Sequence, residues 1–165
     1  MHILLATDAD WIVDEIVAAL SDDDVHFTVC REGRAVAGEV KKRTPDLAIL
    51  DLQVGSMGGM AVTMALRLDE SAGALEHVRV LMLLDRAADI HLARRSGAEG
   101  WLIKPLDALR LRRAADALAA GGRYTEGLPV DAVDIAPMVP LAGSGDDDAL
   151  SELEASTEEE PATAG

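Results

Sequence analysis

Several things are scarce in this sequence, and each scarcity removes a class of function. There is one cysteine, so Cys30 has no internal partner for a disulfide. No apolar run is long enough to span a bilayer and no secretory leader is evident, so a reduced, cytoplasmic location is expected. Lysine and arginine total 15 against 30 aspartates and glutamates, a net charge of -15. Nucleic acid is a poor main partner for such a chain, because phosphate contacts would have to be made against a repulsive background. The four histidines, His2, His26, His77 and His91, are scattered without spaced partners, which argues against a histidine-built metal site. Neither a P-loop nor a G-x-G-x-x-G follows the first predicted strand, so nucleotide binding is unsupported.

What is present is an apolar core of ordinary size. With 165 residues, 49% of them hydrophobic, one domain is the natural expectation. The organising stretch is Asp46-Leu-Ala-Ile-Leu-Asp51-Leu-Gln-Val-Gly-Ser-Met-Gly-Gly59. It follows Thr44-Pro45, where proline disfavours a continuing helix, and reads as a short strand buried on both faces. The strand ends in the carboxylate of Asp51 and breaks into a glycine-rich loop. In open α/β sheets, the carboxyl ends of strands are where ligand sites are built.

Taken in order, His2 to Ala6 is a first buried strand, followed by an acidic loop and helix cap at Thr7-Asp8-Ala9-Asp10. Ile12, Val13, Ile16, Val17 and Leu20 form one stripe of an amphipathic helix. Val25 to Cys30 has strand-forming composition, and Gly33 to Arg43 reads as a helix weakened by Gly38. A third helix is predicted over Gly59 to Asp69, with Met60, Val62, Met64, Ala65 and Leu68 inward. Val78 to Leu84 is a fourth strand, Ala87 to Ser96 a helix stopped by Gly97, and Gly100 to Ile103 a fifth strand. Asp107 caps a last helix that runs to Ala120, with Ala108, Leu111, Ala115 and Leu118 on its inward stripe.

Five strands alternating with five helices predict parallel strands joined by right-handed crossovers. Continuous apolar runs predict a sheet covered on both faces. The fold class is therefore α/β, a doubly wound five-stranded parallel sheet spanning residues 1–122. Its carboxyl edge collects Thr7, Asp8, Asp51, Leu84, Asp85 and Lys104.

These residues, in this order on successive strand ends, resemble the receiver domains of bacterial two-component response regulators, the flavodoxin-like (βα)5 fold of CheY. The resemblance covers about three quarters of the chain. It implies that Asp51 is the phosphoacceptor, that Asp8 and Asp51 with the main-chain carbonyl of Gln53 hold Mg²⁺, and that Lys104 of Lys104-Pro105 contacts the acceptor or its phosphoryl group. It also places Leu84 and Trp101 at the family's switch positions. A histidine kinase or phosphotransfer protein would be the donor. The physical logic is that a carboxylate takes a phosphoryl group as an acyl phosphate when cations neutralise the crowded oxygens. A phosphohydrolase of the haloacid dehalogenase type would need a second aspartate where Gln53 stands, so an enzyme is not expected.

The sequence departs from the family pattern around the phosphoryl position. Thr7 replaces an acid, which lowers the expected Mg²⁺ affinity. Leu84 replaces the hydroxyl residue after strand four, Asp85 replaces a small residue, and Gly55 stands where proline is usual. Two like charges about 6 Å apart at an effective dielectric near 20 repel by roughly 3 kcal/mol, so an inward Asp85 opposes a phosphoryl group. Two readings follow: a single-domain regulator phosphorylated on Asp51 that signals through protein contacts, and an atypical receiver acting as a phosphorylation-independent interaction module.

Residues 123–165 show no apolar periodicity and are expected to be a disordered tail. It contains prolines and then eight carboxylates between Asp146 and Glu160 with no basic residue. Too short and too acidic for a DNA-binding output domain, it leaves protein contacts as the expected output. Arg94, Arg95, Arg110, Arg112 and Arg113 are expected around Trp101 on the face of helix four, strand five and helix five. That cluster is a candidate surface for an acidic partner, for the chain's own tail, or for a homodimer.

Overall fold

The computed structural model describes residues 1–127. The proline-containing and acidic stretch expected beyond Leu128 lies outside the described residues. Five parallel strands form one sheet: β1 (His2–Ala6), β2 (His26–Cys30), β3 (Leu47–Asp51), β4 (Val80–Leu84) and β5 (Gly100–Ile103). Their spatial order is β2-β1-β3-β4-β5. Between and after them run α1 (Asp10–Leu20), α2 (Val36–Lys42), α3 (Gly59–Ser71), α4 (Ile90–Ser96) and α5 (Ala108–Ala119).

The apolar runs divide strictly by parity, as a pleated strand requires. Leu4, Ala6, Ala48, Leu50, Val80, Met82 and Leu84 enter one core with Val36, Val62, Leu66, Ala93 and Trp101. Ile3, Leu5, Leu47, Ile49, Leu81 and Leu83 enter the opposite core with Ile12, Ile16, Leu111, Ala115 and Leu118. The helices therefore flank both faces, α2, α3 and α4 on one and α1 and α5 on the other. This is the doubly wound architecture expected, and it brings the carboxyl ends of β1, β3, β4 and β5 to one edge.

Helix details differ from expectation for local reasons. The regions predicted as helix from Gly33 and from Ala87 each begin with a single 3₁₀ turn, Gly33–Ala35 and Ala87–Asp89. Ala9, not an acid, occupies the cap position of α1, and Asp10 is already helical. Helix α3 buries Gly59, Val62, Thr63 and Leu66, spaced i, i+3, i+4, i+7. Met64 and Leu68, expected inward, are 48% and 69% exposed beside α4. The small hydroxyl of Thr63 is admitted to the core because it donates to the Gly59 carbonyl at 2.8 Å. Helix α5 is capped by Asp107, whose carboxylate accepts from the N–H groups of Leu109 and Arg110. Its inward stripe is Leu111, Ala114, Ala115 and Leu118, while Ala108 is exposed. Gly97 closes α4 in the left-handed region at φ 81°.

Contacts with the sheet continue past residue 122, the boundary expected from sequence. Tyr124 forms a parallel bridge with Gly100, and the Trp101 N–H donates to the Tyr124 carbonyl at 2.9 Å. The described chain therefore remains packed on β5 past α5. Cys30 is buried, and that burial pushes its thiol pKa up, so it is an inert core residue.

Candidate functional site

The site grows from the ends of β1, β3 and β4 and the residue after β5. Asp51, the last residue of β3, is 2% exposed. A carboxylate buried to this degree must be satisfied by donors. Three supply it: the Thr7 hydroxyl donates to Oδ2 at 3.0 Å, and Lys104 Nζ and the Gln53 N–H donate to Oδ1 at 2.9 and 3.2 Å. Thr7 is itself fixed, because its hydroxyl also accepts the Ala9 N–H at 3.2 Å and its own N–H donates to the Cys30 carbonyl.

The loop after Asp51 is shaped by packing. Leu52 and Val54 tuck into the core. Gly59 lies so close to the end of β3 that a Cβ there would stand 2.6 Å from the Asp51 carbonyl oxygen. Gly33 lies under the same loop, where a Cβ would fall 1.7 Å from the Met57 carbonyl oxygen. Side-chain volume at either glycine would move the loop that carries Asp51's neighbours.

Lys104 is the electrostatic centre. Its ammonium donates to Asp51 Oδ1 at 2.9 Å and to Asp85 Oδ1 at 3.0 Å, and it lies 5.9 Å from the centroid of the Trp11 ring. Burial on its own lowers the lysine pKa. The hydrogen bonds and negative charge of Asp51 and Asp85 outweigh burial, so the net shift is upward. The ammonium is therefore fixed as a cation.

Asp8 is exposed, and its Oδ2 lies 3.2 Å from where a Cβ on Gly55 would stand, so it reaches over the loop after Asp51. Among the described residues no group of three histidine, cysteine, aspartate or glutamate side chains is assembled for a metal. Mg²⁺ needs fewer: one or two carboxylates suffice, the remaining positions going to water and phosphate oxygens. Asp8 and Asp51 meet that demand, but the Thr7 hydroxyl stands where a further acid would add charge. The residues fit the cation in a form with one carboxylate fewer.

Trp101, assigned from sequence to a switch position, is buried in the core that also takes Leu84. Its indole Nε1–H donates to the Glu126 carbonyl at 2.8 Å. Leu84 is fully buried and presents no hydroxyl. Of the arginines expected around Trp101, Arg110 shares Glu126 with the Trp101 indole. Arg95 turns to the groove that Met64 and Leu68 line on α3, and Arg112 reaches the Ala19 carbonyl of α1. Arg110 is engaged with Glu126 and with the Ile103 and Pro105 carbonyls, leaving Arg94 and Arg113 exposed.

Residues 3–116 match the family described as Response regulator receiver domain. The chain belongs to that family. Among its relatives, this receiver is 32% identical over 108 residues to the transcriptional regulatory protein CseB of Streptomyces avermitilis, a match covering 64% of this chain and 43% of CseB. It thus spans less than half the length of that curated relative. The signal receiver domain of the putative response regulator NarL from Mycobacterium tuberculosis aligns with a TM-score of 0.63 at 28% identity, covering 73% of this chain and 96% of that domain. The receiver domain of sensor histidine kinase PA1611 from Pseudomonas aeruginosa, described with magnesium coordinated in its active-site cleft, aligns at a TM-score of 0.61. There the identity is 18%, with 72% of this chain and 97% of that one covered, a likeness of fold.

Sequence order on strand ends put Asp8, Asp51 and Lys104 on the carboxyl edge, where Lys104 contacts Asp51. Two further participants were missed. Trp11 is 54% exposed in the first turn of α1, beside Lys104. Its signal was a large aromatic just outside the apolar stripe that begins at Ile12. Glu126 gave no signal, since nothing in its local sequence points to β5.

Proposed function

We propose that this receiver accepts a phosphoryl group on Asp51 from a phosphohistidine of a histidine kinase or phosphotransfer protein, and that it signals through protein contacts. The observation that carries this reading is the 2.9 Å contact between Lys104 Nζ and the buried Asp51 carboxylate. In the transfer, an Asp51 oxygen bonds to phosphorus as the phosphorus–nitrogen bond breaks, and the imidazole leaves with the electron pair. Lys104 balances the charge that accumulates on the phosphoryl oxygens, a task suited to a compact ammonium. Asp8, Asp51 and the Gln53 carbonyl would hold Mg²⁺, which supplies further charge neutralisation when bound. The chain is read as a cytoplasmic signalling module, not a turnover catalyst. Among the described residues no helix is long and apolar enough to cross a membrane.

A second reading rests on Asp85. Its carboxylate already lies on Lys104, in the role a phosphoryl oxygen would take, and Leu84 offers no hydroxyl to an incoming group. An interaction module that works without phosphate is consistent with that arrangement. Incubation of the chain with Mg²⁺ and a small acyl-phosphate donor, followed by intact-mass measurement, separates the two. Phosphorylation predicts the mass gain of one phosphoryl group, abolished in Asp51→Ala. No Asp51-dependent gain leaves the interaction module.

A further inference from the structure

Lys104 serves the site with part of its donor capacity. An ammonium carries three N–H donors. Two go to Asp51 Oδ1 and Asp85 Oδ1, and the third meets no oxygen among the described residues. Beside it lies the indole of Trp11, with its ring centroid 5.9 Å from Nζ, within reach of a cation–π contact. The Lys104 side chain is only 12% exposed although it stands at the rim of the sheet.

Core packing does not account for Trp11. Helix α1 buries Ile12, Ile16 and Ala19, and Trp11 stands outside that stripe at 54% exposure. The chain has two tryptophans, one tyrosine and one phenylalanine. Trp101, Tyr124 and Phe27 pack on the two cores, so the most exposed aromatic ring of the chain is the one beside the cation of the site. A lone aromatic on a surface is ordinary, but the backbone that carries this one is tied to the acceptor. The Thr7 hydroxyl that donates to Asp51 also accepts the Ala9 N–H, and the Ala9 carbonyl accepts from the N–H groups of Ile12 and Val13. In the same turn Asp10 pairs with Arg31 at 2.6 Å. One hydroxyl thus helps to place both Asp51 and the turn that bears Trp11.

We infer that Trp11 is a positioning residue for phosphorylation of Asp51, its ring holding the Lys104 ammonium at the acceptor and keeping the third N–H out of bulk water for a phosphoryl oxygen. This role rests on the reading of Asp51 as a phosphoacceptor. Lysine is a point charge on a flexible four-carbon stem, and its alternatives here are Asp85 and water. An aromatic face covers the ammonium without bringing an oxygen that would compete with the phosphoryl group. It also displaces water, and a lower effective dielectric strengthens the pull of the cation on negative oxygens.

The test uses the full chain with Mg²⁺ and acetyl phosphate, and reads the rate of Asp51-dependent mass gain. In that reaction an Asp51 oxygen bonds to phosphorus as the bond from phosphorus to the acyl oxygen breaks, and acetate leaves with the electron pair. Trp11→Leu keeps apolar bulk but removes the ring, and should slow the gain at least threefold. Trp11→Phe restores a ring and should recover most of the rate. Because Trp11 acts through Lys104, Trp11→Leu should add nothing in a Lys104→Ala chain. Proton NMR gives a second readout: the Lys104 ε-methylene should show a ring-current shift that Trp11→Leu abolishes and Trp11→Phe keeps in part. Trp11→Gln serves if the leucine variant does not fold, as judged by circular dichroism. An unchanged rate in Trp11→Leu overturns the inference, as do equal slowing in Trp11→Phe, further slowing by Trp11→Leu in Lys104→Ala, or the absence of the ring-current shift; each leaves phosphorylation of Asp51 standing. No Asp51-dependent gain in the unsubstituted chain removes that reading, and the role of Trp11 with it.

Discussion

Asp85 and Lys104 stand 3.0 Å apart at the carboxyl edge of the sheet, almost the same separation as Lys104 from Asp51 at 2.9 Å. One ammonium thus serves two carboxylates. A phosphoryl group on Asp51 would add negative oxygens that compete with Asp85 for the same cation. The Asp85 side chain is 39% exposed, so its pairing is partly screened and worth about 1 kcal/mol. Asp85→Ala should therefore phosphorylate about fivefold faster with a small acyl-phosphate donor, since 1 kcal/mol is a factor of about five. The Lys104 pKa should fall in the same variant, because one of the groups that raise it is gone. An NMR titration of the lysine side chain reads this directly.

Thr7 governs the other oxygen of Asp51. Thr7→Val keeps the shape and deletes the donor to Oδ2, leaving a buried acceptor short of one hydrogen bond. The expected cost is about 1–3 kcal/mol in urea unfolding. Thr7→Asp should instead tighten Mg²⁺ binding, on the order of tenfold by calorimetric titration, since affinity for hard cations rises with carboxylate count.

At the opposite end of the sheet, Arg67 joins α3 to the approach of β4 and β5. Its guanidinium donates to Glu70 and Glu99, with side-chain contacts of 2.7–2.9 Å, and to the Val78 and Gly97 carbonyls. Removing it in Arg67→Ala leaves two largely buried carboxylates without their cation, at a cost of about 3 kcal/mol by urea unfolding.

The same cluster sets an acid limit. Burial raises the Glu70 pKa, but hydrogen bonds from the Val78 N–H and His77 and the charge of Arg67 outweigh it and bring the net value below the usual 4.5. A carboxylate depressed on folding stabilises the chain above its unfolded pKa and loses that contribution as pH falls through the folded value. Stability should therefore drop over roughly pH 5 to 3, and Glu70→Gln should flatten that part of the profile. Urea midpoints across that range measure it.

Two glycines should behave oppositely. Gly33→Ala forces a Cβ to within 1.7 Å of the Met57 carbonyl oxygen and should destabilise by at least about 2 kcal/mol while loosening the loop next to Asp51. Gly38 sits exposed within α2 with nothing within 4 Å of a Cβ. Gly38→Ala should stabilise by about 0.5–1 kcal/mol. Paired thermal melts compare them.

The sheet was legible because short apolar runs bounded by proline, glycine and acids leave few alternatives. Asp8, Asp51 and Lys104 could be placed because strand order alone fixes where strand ends meet. The direction of the Asp85 side chain could not be read, since it depends on a loop and on whether Lys104 is near enough to hold it. The inward stripe of α3 was misassigned because hydrophobicity favoured Met64 and Leu68 over Thr63, and only the bond to the Gly59 carbonyl makes Thr63 a core residue. Sequence could not foresee that Arg110 faces Glu126 instead of solvent. Sixteen positions separate them, and the pairing is set by the turn after α5.

The Tyr124–Gly100 bridge also bears on how the protein behaves in concentrated solution. A parallel sheet has two flanks on which foreign strands can grow, and here one of them is already occupied. Intermolecular β-pairing, if it occurs, must then begin at β2, where Val29 is exposed between the partly buried Thr28 and the buried Cys30. Among the described residues, the short segment after α5 thereby leaves β2 as the flank with no neighbouring strand.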